Sequence, residues 1–140
     1  MIFRKVKILS SVSLLCFVMA LMFIIELIVA SATDKPRACV EYDLGSMFAP
    51  AVANQIHLHR LIVSSFLHGS WMHICSTLFT LLFYGYVLER NYGVTKMIGL
   101  YCISSLTGNL FTGLINPYHI SVGPSSIVMA VLTLQILFLY

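Results

Sequence analysis

A serine stands just before an apolar run, in Gly123-Pro124-Ser125-Ser126. Glycine allows a sharp turn, and proline suits the first helical position. Ser125 then falls at a helix amino end, where free backbone N–H groups and the positive end of the helix dipole lie. Such a place stabilises an alkoxide or a tetrahedral oxyanion. Ser125 or Ser126 could equally cap the helix, which is worth about 0.5–2 kcal/mol. His73 and Thr77 are four apart and share one helix face, with Ser70 and Ser76 near the same end. Polar groups within a span usually face the bundle or a water cavity. Interface chemistry at a helix end is the plainer alternative.

Four histidines, His57, His59, His68 and His73, fall in one window and raise a metal site. If both are helical, His68 and His73 point about 140° apart. No carboxylate or cysteine pair lies close enough in sequence to complete a ligand set. The expectation is interfacial histidines and no metal or cofactor. Cys16, Cys39, Cys75 and Cys102 form no CxxC and no disulfide framework. Free thiols are expected.

The elements that must position these residues follow from composition. Of 140 residues, 59% are apolar and 9% are charged, and the mean hydropathy is +0.94. Soluble domains carry about 25% charged residues. That composition excludes a soluble domain, a disordered tail and a nucleic-acid arm. The net charge is only +3 and the basic residues are scattered. A polytopic, all-α membrane bundle of about four helices remains, since one crossing needs about 20 residues.

Residues 1–7 read as a basic amino end with Arg4, Lys5 and Lys7, and residues 8–30 as the first span. A signal peptide ending near Ala30-Ser31-Ala32 is the alternative, but the apolar stretch exceeds the usual limit of about 15 residues. Residues 31–67 form an outer-side loop with interfacial segments. Residues 68–140 hold spans two to four, at about 71–88, 97–115 and from 124 onward. Basic residues mark the cytoplasmic side. The amino end and the turn with Arg90 and Lys96 therefore face the cytoplasm, while Ser125 and His73 lie opposite. On the third span Ser104, Gly108 and Thr112 form one row of small residues, parallel to Ser105, Asn109 and Gly113. Such rows let helices approach closely, and a buried Asn109 needs a partner.

Over roughly His59 to Leu132 the chain resembles the rhomboid family of intramembrane serine proteases. The resemblance rests on His59-Arg60, Phe66-Leu67-His68 with His73, Tyr84 to Gly93 including Glu89, Gly108-Asn109-Leu110, and Val122 to Ser126, in the family's order. It implies a helical bundle of six or seven spans that cuts other membrane proteins within or beside their transmembrane segments. Ser125 matches the nucleophile and His73 an oxyanion-hole histidine. Glu89, Gly108 and Gly123 match structural motif positions. Partners would be transmembrane substrates or clients and the bilayer, not nucleic acid.

Four positions depart from the pattern. Thr77 stands where the family usually has Asn, so it is at most a weak oxyanion donor. Ser126 replaces a frequent glycine, Asn91 an arginine, and Pro124 has no N–H. The family's base histidine, on its sixth span, has no counterpart, and His119 fits no family position. The 140-residue chain alone is therefore expected to be inactive. A non-catalytic rhomboid-like protein that binds transmembrane helices is the alternative. A small channel or transporter subunit finds no clear charge pathway.

Overall fold

The computed structural model describes residues 10–137. Arg4, Lys5, Lys7 and the fourth span beyond Leu137 lie outside these residues. Every regular element described is helical. Helix α1 (Ser11–Thr33) begins at Ser10, whose hydroxyl accepts the Ser13 N–H at 3.0 Å. It ends at Asp34, in the left-handed region with φ 51°.

The segment after α1 contains α2 (Arg37–Leu44), α3 (Ala49–Gln55) and α4 (Arg60–Val63), which tightens into a 3-10 turn at Ser64–Phe66. Proline starts two of them: Pro36 precedes α2, and Pro50 lies in the first turn of α3, where a missing N–H costs nothing. The second span is one continuous helix, Trp71–Tyr92. It comprises α5 (Trp71–Thr80), a π-helical stretch (Leu81–Gly85) and α6 (Tyr86–Tyr92). Gly93 turns the chain into α7 (Val94–Ile115), and α8 (Ser125–Leu137) follows a loop.

Three of these helices are long and apolar enough to cross a bilayer: Ser11–Thr33, Trp71–Tyr92 and Val94–Ile115. The fourth expected span is described for 13 residues, which is roughly 20 Å of helix. The interior is narrow. Val12, Met19, Leu81, Leu88, Met97, Tyr101, Ile127 and Val131 form its apolar cluster. Leu14, Phe17, Phe79, Phe83, Ile103 and Phe111 point outward instead. Helices apolar on their outer faces too are stable only where the surroundings are apolar.

Charged side chains inside the bundle hold backbone groups. Glu89, at the end of α6, is buried. Its carboxylate accepts the N–H of Ser11 at 3.1 Å, the hydroxyl of Ser11 at 2.7 Å and the N–H of Val12 at 2.8 Å. The first turn of α1 has no acidic residue of its own, so Glu89 supplies the anion its N–H groups favour. This contact sets the start of α1 and the turn after α6 at one end of the bundle. His73, at the opposite end of the Trp71–Tyr92 helix, marks the other.

Glu89→Ala should lower stability by at least about 2 kcal/mol, because two buried N–H groups lose their acceptor at about 1–3 kcal/mol each. Thermal unfolding in detergent micelles measures this. An unchanged midpoint would show that α1 does not depend on the carboxylate.

Candidate functional site

The loop between α7 and α8 is held from three sides. Met47 and Ser121 form a single antiparallel bridge, with N–H to carbonyl distances of 2.9 Å in both directions. Gly123 donates its N–H to the Ser64 carbonyl at 2.9 Å. Its φ is +107°, a conformation that side chains disfavour. A Cβ at Gly123 would also fall on the imidazole of His73. Glycine is therefore required twice here, by conformation and by space.

His73 sits in the first turn of α5. Ser70 caps that turn, its hydroxyl accepting the His73 N–H at 3.2 Å. Pro124 follows Gly123, and Ser125 opens α8. Proline thus precedes the helix rather than occupying its first position, which Ser125 takes. The Pro124 carbonyl accepts the Val128 N–H at 3.0 Å. The unpaired N–H groups of the first turn point back past the serine.

A cavity of about 190 Å³ opens beside Ser125, lined by Gly108, Asn109, Thr112, Gly123 and Ser126 among others. His73 is not among the lining residues; it packs on Gly123, which is. Gly108 meets Ser126 so tightly that a Cβ there would strike the serine's Cβ. Ser126, where the resemblance implies a frequent glycine, thus fits against a glycine on the facing helix. Gly113 likewise leaves room for Met47, whose Cε would lie 2.6 Å from an added Cβ. The rows of small residues on α7 serve close approach, as their spacing implied.

Asn109 finds the partner its burial demands. Its amide donates to the Leu61 carbonyl at 2.8 Å and lies 3.3 Å from the Ser65 hydroxyl. Tyr101 donates to the Ser65 carbonyl at 3.1 Å. These bonds fasten α7 to the α4 turn that also holds Gly123. Thr77 is buried one turn beyond His73 but is not among the residues lining the cavity. Glu89 lies at the far end of the helix and acts on α1, not on this site.

The histidines are arranged differently from the helical expectation. His68 precedes α5 and is not helical, so its ring comes within 5.2 Å of the His73 ring instead of pointing away. Among the described residues no three metal-ligating side chains cluster. His57 and His59 pair with each other at 5.6 Å near α4. Arg60 beside them donates to the carbonyls of Tyr42 and Ser46, both at 2.9 Å, and covers the Tyr42 ring at 4.4 Å. It closes the turn between α2 and α3. His119 is exposed in the α7–α8 loop.

His68 is fully buried. Burial first, and the neighbouring His73 second, push its pKa down to about 4, against a smaller opposing effect of its bond to Phe66. It is a neutral imidazole at neutral pH. Two residues that grip His68, Glu26 and Arg37, were not visible as site residues. Glu26 did stand out as the one charge in the first apolar run, and its carboxylate accepts the His68 N–H at 3.1 Å.

An all-helical bundle with an exposed serine at the first turn of one helix, a polar cleft beside that serine, and a histidine packed on the glycine two residues before it defines a polytopic helical membrane protein with a polar site at one helix end. The rhomboid domain matches residues 55–140, more than half of the chain. The chain belongs to the rhomboid family. It is 33% identical to rhomboid-like protease 3 of Toxoplasma gondii over 76% of its own length and 40% of that protein. It is 30% identical to RHOMBOID-like protein 1 of Arabidopsis thaliana over 69% of its length and 25% of that protein. The similarity to RHOMBOID-like protein 4 of the same plant is 37% over 52% of the chain and 18% of the relative. The chain thus spans less than half the length of these relatives.

Gly123→Ala should cost about 1–2 kcal/mol for the left-handed conformation and about 1–3 kcal/mol for overpacking against His73. Unfolding in micelles measures the sum, and a variant as stable as the parent would refute the tight approach. His68 supplies a pH test. Its unfolded pKa of 6.5 exceeds its folded value of about 4, so the unfolded state binds more protons in that window. Its contribution is complete above pH 6.5 and is lost as pH falls toward 4. The difference in stability between parent and His68→Gln should therefore change across this window, as read from unfolding midpoints at stepped pH. A constant difference would contradict a neutral buried imidazole.

Proposed function

We propose that the chain contributes the nucleophile half of a rhomboid-type intramembrane serine endopeptidase, which cleaves transmembrane or juxtamembrane segments of membrane proteins. One observation carries the reading: Ser125 opens α8 beside a polar cavity while His73 packs on Gly123, two residues before it. In this reading the Ser125 hydroxyl attacks the peptide carbonyl and gives its proton to the base. The C–N bond breaks, the amine leaves with that proton, and water hydrolyses the acyl-enzyme to a free carboxylate and the restored serine. The first-turn N–H groups of α8 and the imidazole of His73 stabilise the oxyanion. Thr77 adds at most a weak contribution through its hydroxyl.

Serine is a weak nucleophile without a base. The five histidines of the chain do not supply one here: His73 is assigned to the oxyanion, His68 is buried, and His57, His59 and His119 lie elsewhere. The reading therefore requires a base histidine on a segment outside these 140 residues. The amino end of α1 and the turn with Arg90 and Lys96 face the cytoplasm, and the site faces the opposite side. A second reading, a non-catalytic protein that binds transmembrane helices, is favoured by Thr77 in place of an amide.

A fluorophosphonate probe applied to membranes expressing the protein from its own gene separates the two. Labelling should occur and vanish in Ser125→Ala. His73→Ala should slow it by about 100- to 1000-fold, the effect of losing one oxyanion donor. Folded protein that takes no label would support the helix-binding reading instead.

A further inference from the structure

The outer end of α1 holds a carboxylate that the site described above does not use. Glu26 is only 1% exposed. One of its oxygens accepts the His68 N–H at 3.1 Å. The other lies 3.7 Å from the guanidinium of Arg37, on α2. Arg37 in turn donates to the His68 carbonyl at 2.8 Å. The N–H and the C=O of one residue are thus held by the two members of one ion pair.

Other groups fix the pair itself. Arg37 lies 3.4 Å from Glu41 and 5.2 Å from the centroid of the Phe23 ring. Phe23 in turn meets Trp71 edge to face at 4.8 Å. His68 has no helical partners for its backbone, because it lies between the 3-10 turn and α5. A buried N–H without an acceptor costs about 1–3 kcal/mol. The backbone there would turn toward another partner if the carboxylate were removed. From His68 the chain reaches His73 through Gly69, the capping Ser70 and the first turn of α5. Its direction at His68 sets where the His73 ring lands.

We propose that Glu26 and Arg37 are positioning residues: together they clamp the His68 backbone and so hold His73 against Gly123. The consequence for catalysis rests on the reading of His73 as an oxyanion donor, whereas the clamp itself is a matter of geometry. A buried ion pair is weak evidence of stability. The clamp instead predicts a local effect at the start of α5.

Trp71 is the one tryptophan of the chain and lies against Phe23, so its emission reports on this contact. Full-length protein in micelles is compared with Glu26→Leu, Glu26→Gln and Arg37→Met by Trp71 emission and by amide exchange. Glu26→Leu and Arg37→Met should shift the emission and speed exchange in residues 67–74 at least tenfold, with residues 97–109 unchanged. Glu26→Gln keeps an acceptor for the His68 N–H and should restore most of the protection lost in Glu26→Leu. Arg37 lies outside the span and is part-exposed, so its variant tests the clamp even if Glu26→Leu does not fold. Unchanged emission and exchange in the folded variants would overturn the proposal, as would exchange rising equally in every helix. Fluorophosphonate labelling of Ser125 is scored separately. A shifted emission without any labelling retains the clamp and removes the catalytic reading.

Discussion

The imidazole of His73 occupies the space that a side chain at position 123 would need. That single contact ties the start of one helix to the loop leading into another. It tolerates little error, because interiors are close-packed and a misplacement of one methyl group is felt. Both partners must therefore be fixed independently. Ser64 and Met47 fix the Gly123 side through backbone bonds, and Ser70, Glu26 and Arg37 fix the His73 side.

The same logic explains why so many buried polar side chains end on backbone atoms. Within a bilayer no water completes an unpaired N–H or C=O. Glu89 serves the first turn of α1, Asn109 the α4 carbonyl of Leu61, and Arg60 the carbonyls of Tyr42 and Ser46. Each lies where the chain cannot satisfy itself with helix geometry. Charge here is a means of closing turns and helix ends, and the apolar contacts then follow from the positions so set.

Much of this was readable in the sequence, and the limits have physical causes. The long helices follow from apolar runs that require no partner to be recognised. The turn at Gly123 and the serine after it were visible because glycine and proline act locally. Asn109 announced a need for a partner, but not that Leu61 would meet it. The helices at 37–44 and 49–55 were missed because their apolar residues are too few to show a period, although Pro36 and Pro50 marked their starts. The angle between His68 and His73 held only if both were helical, and His68 precedes the helix. Glu26 stood out as a lone charge, yet its partner is 42 residues away, beyond any local pattern.

The bridge between Met47 and Ser121 has a kinetic side. Both anchors of the Gly123 loop, Met47 and Ser64, emerge from the ribosome long before the loop does. Helices α2 to α4 are therefore made first, and the serine-bearing turn docks onto them afterwards. Contacts so distant along the chain form slowly, because a long loop must close before it gains anything. Until residues 121–123 have been made, the backbone groups of Met47 and Ser64 that hold them lack these partners. The serine-bearing turn therefore depends on anchors synthesised well before it, and it is set only once α7 and α8 can meet them.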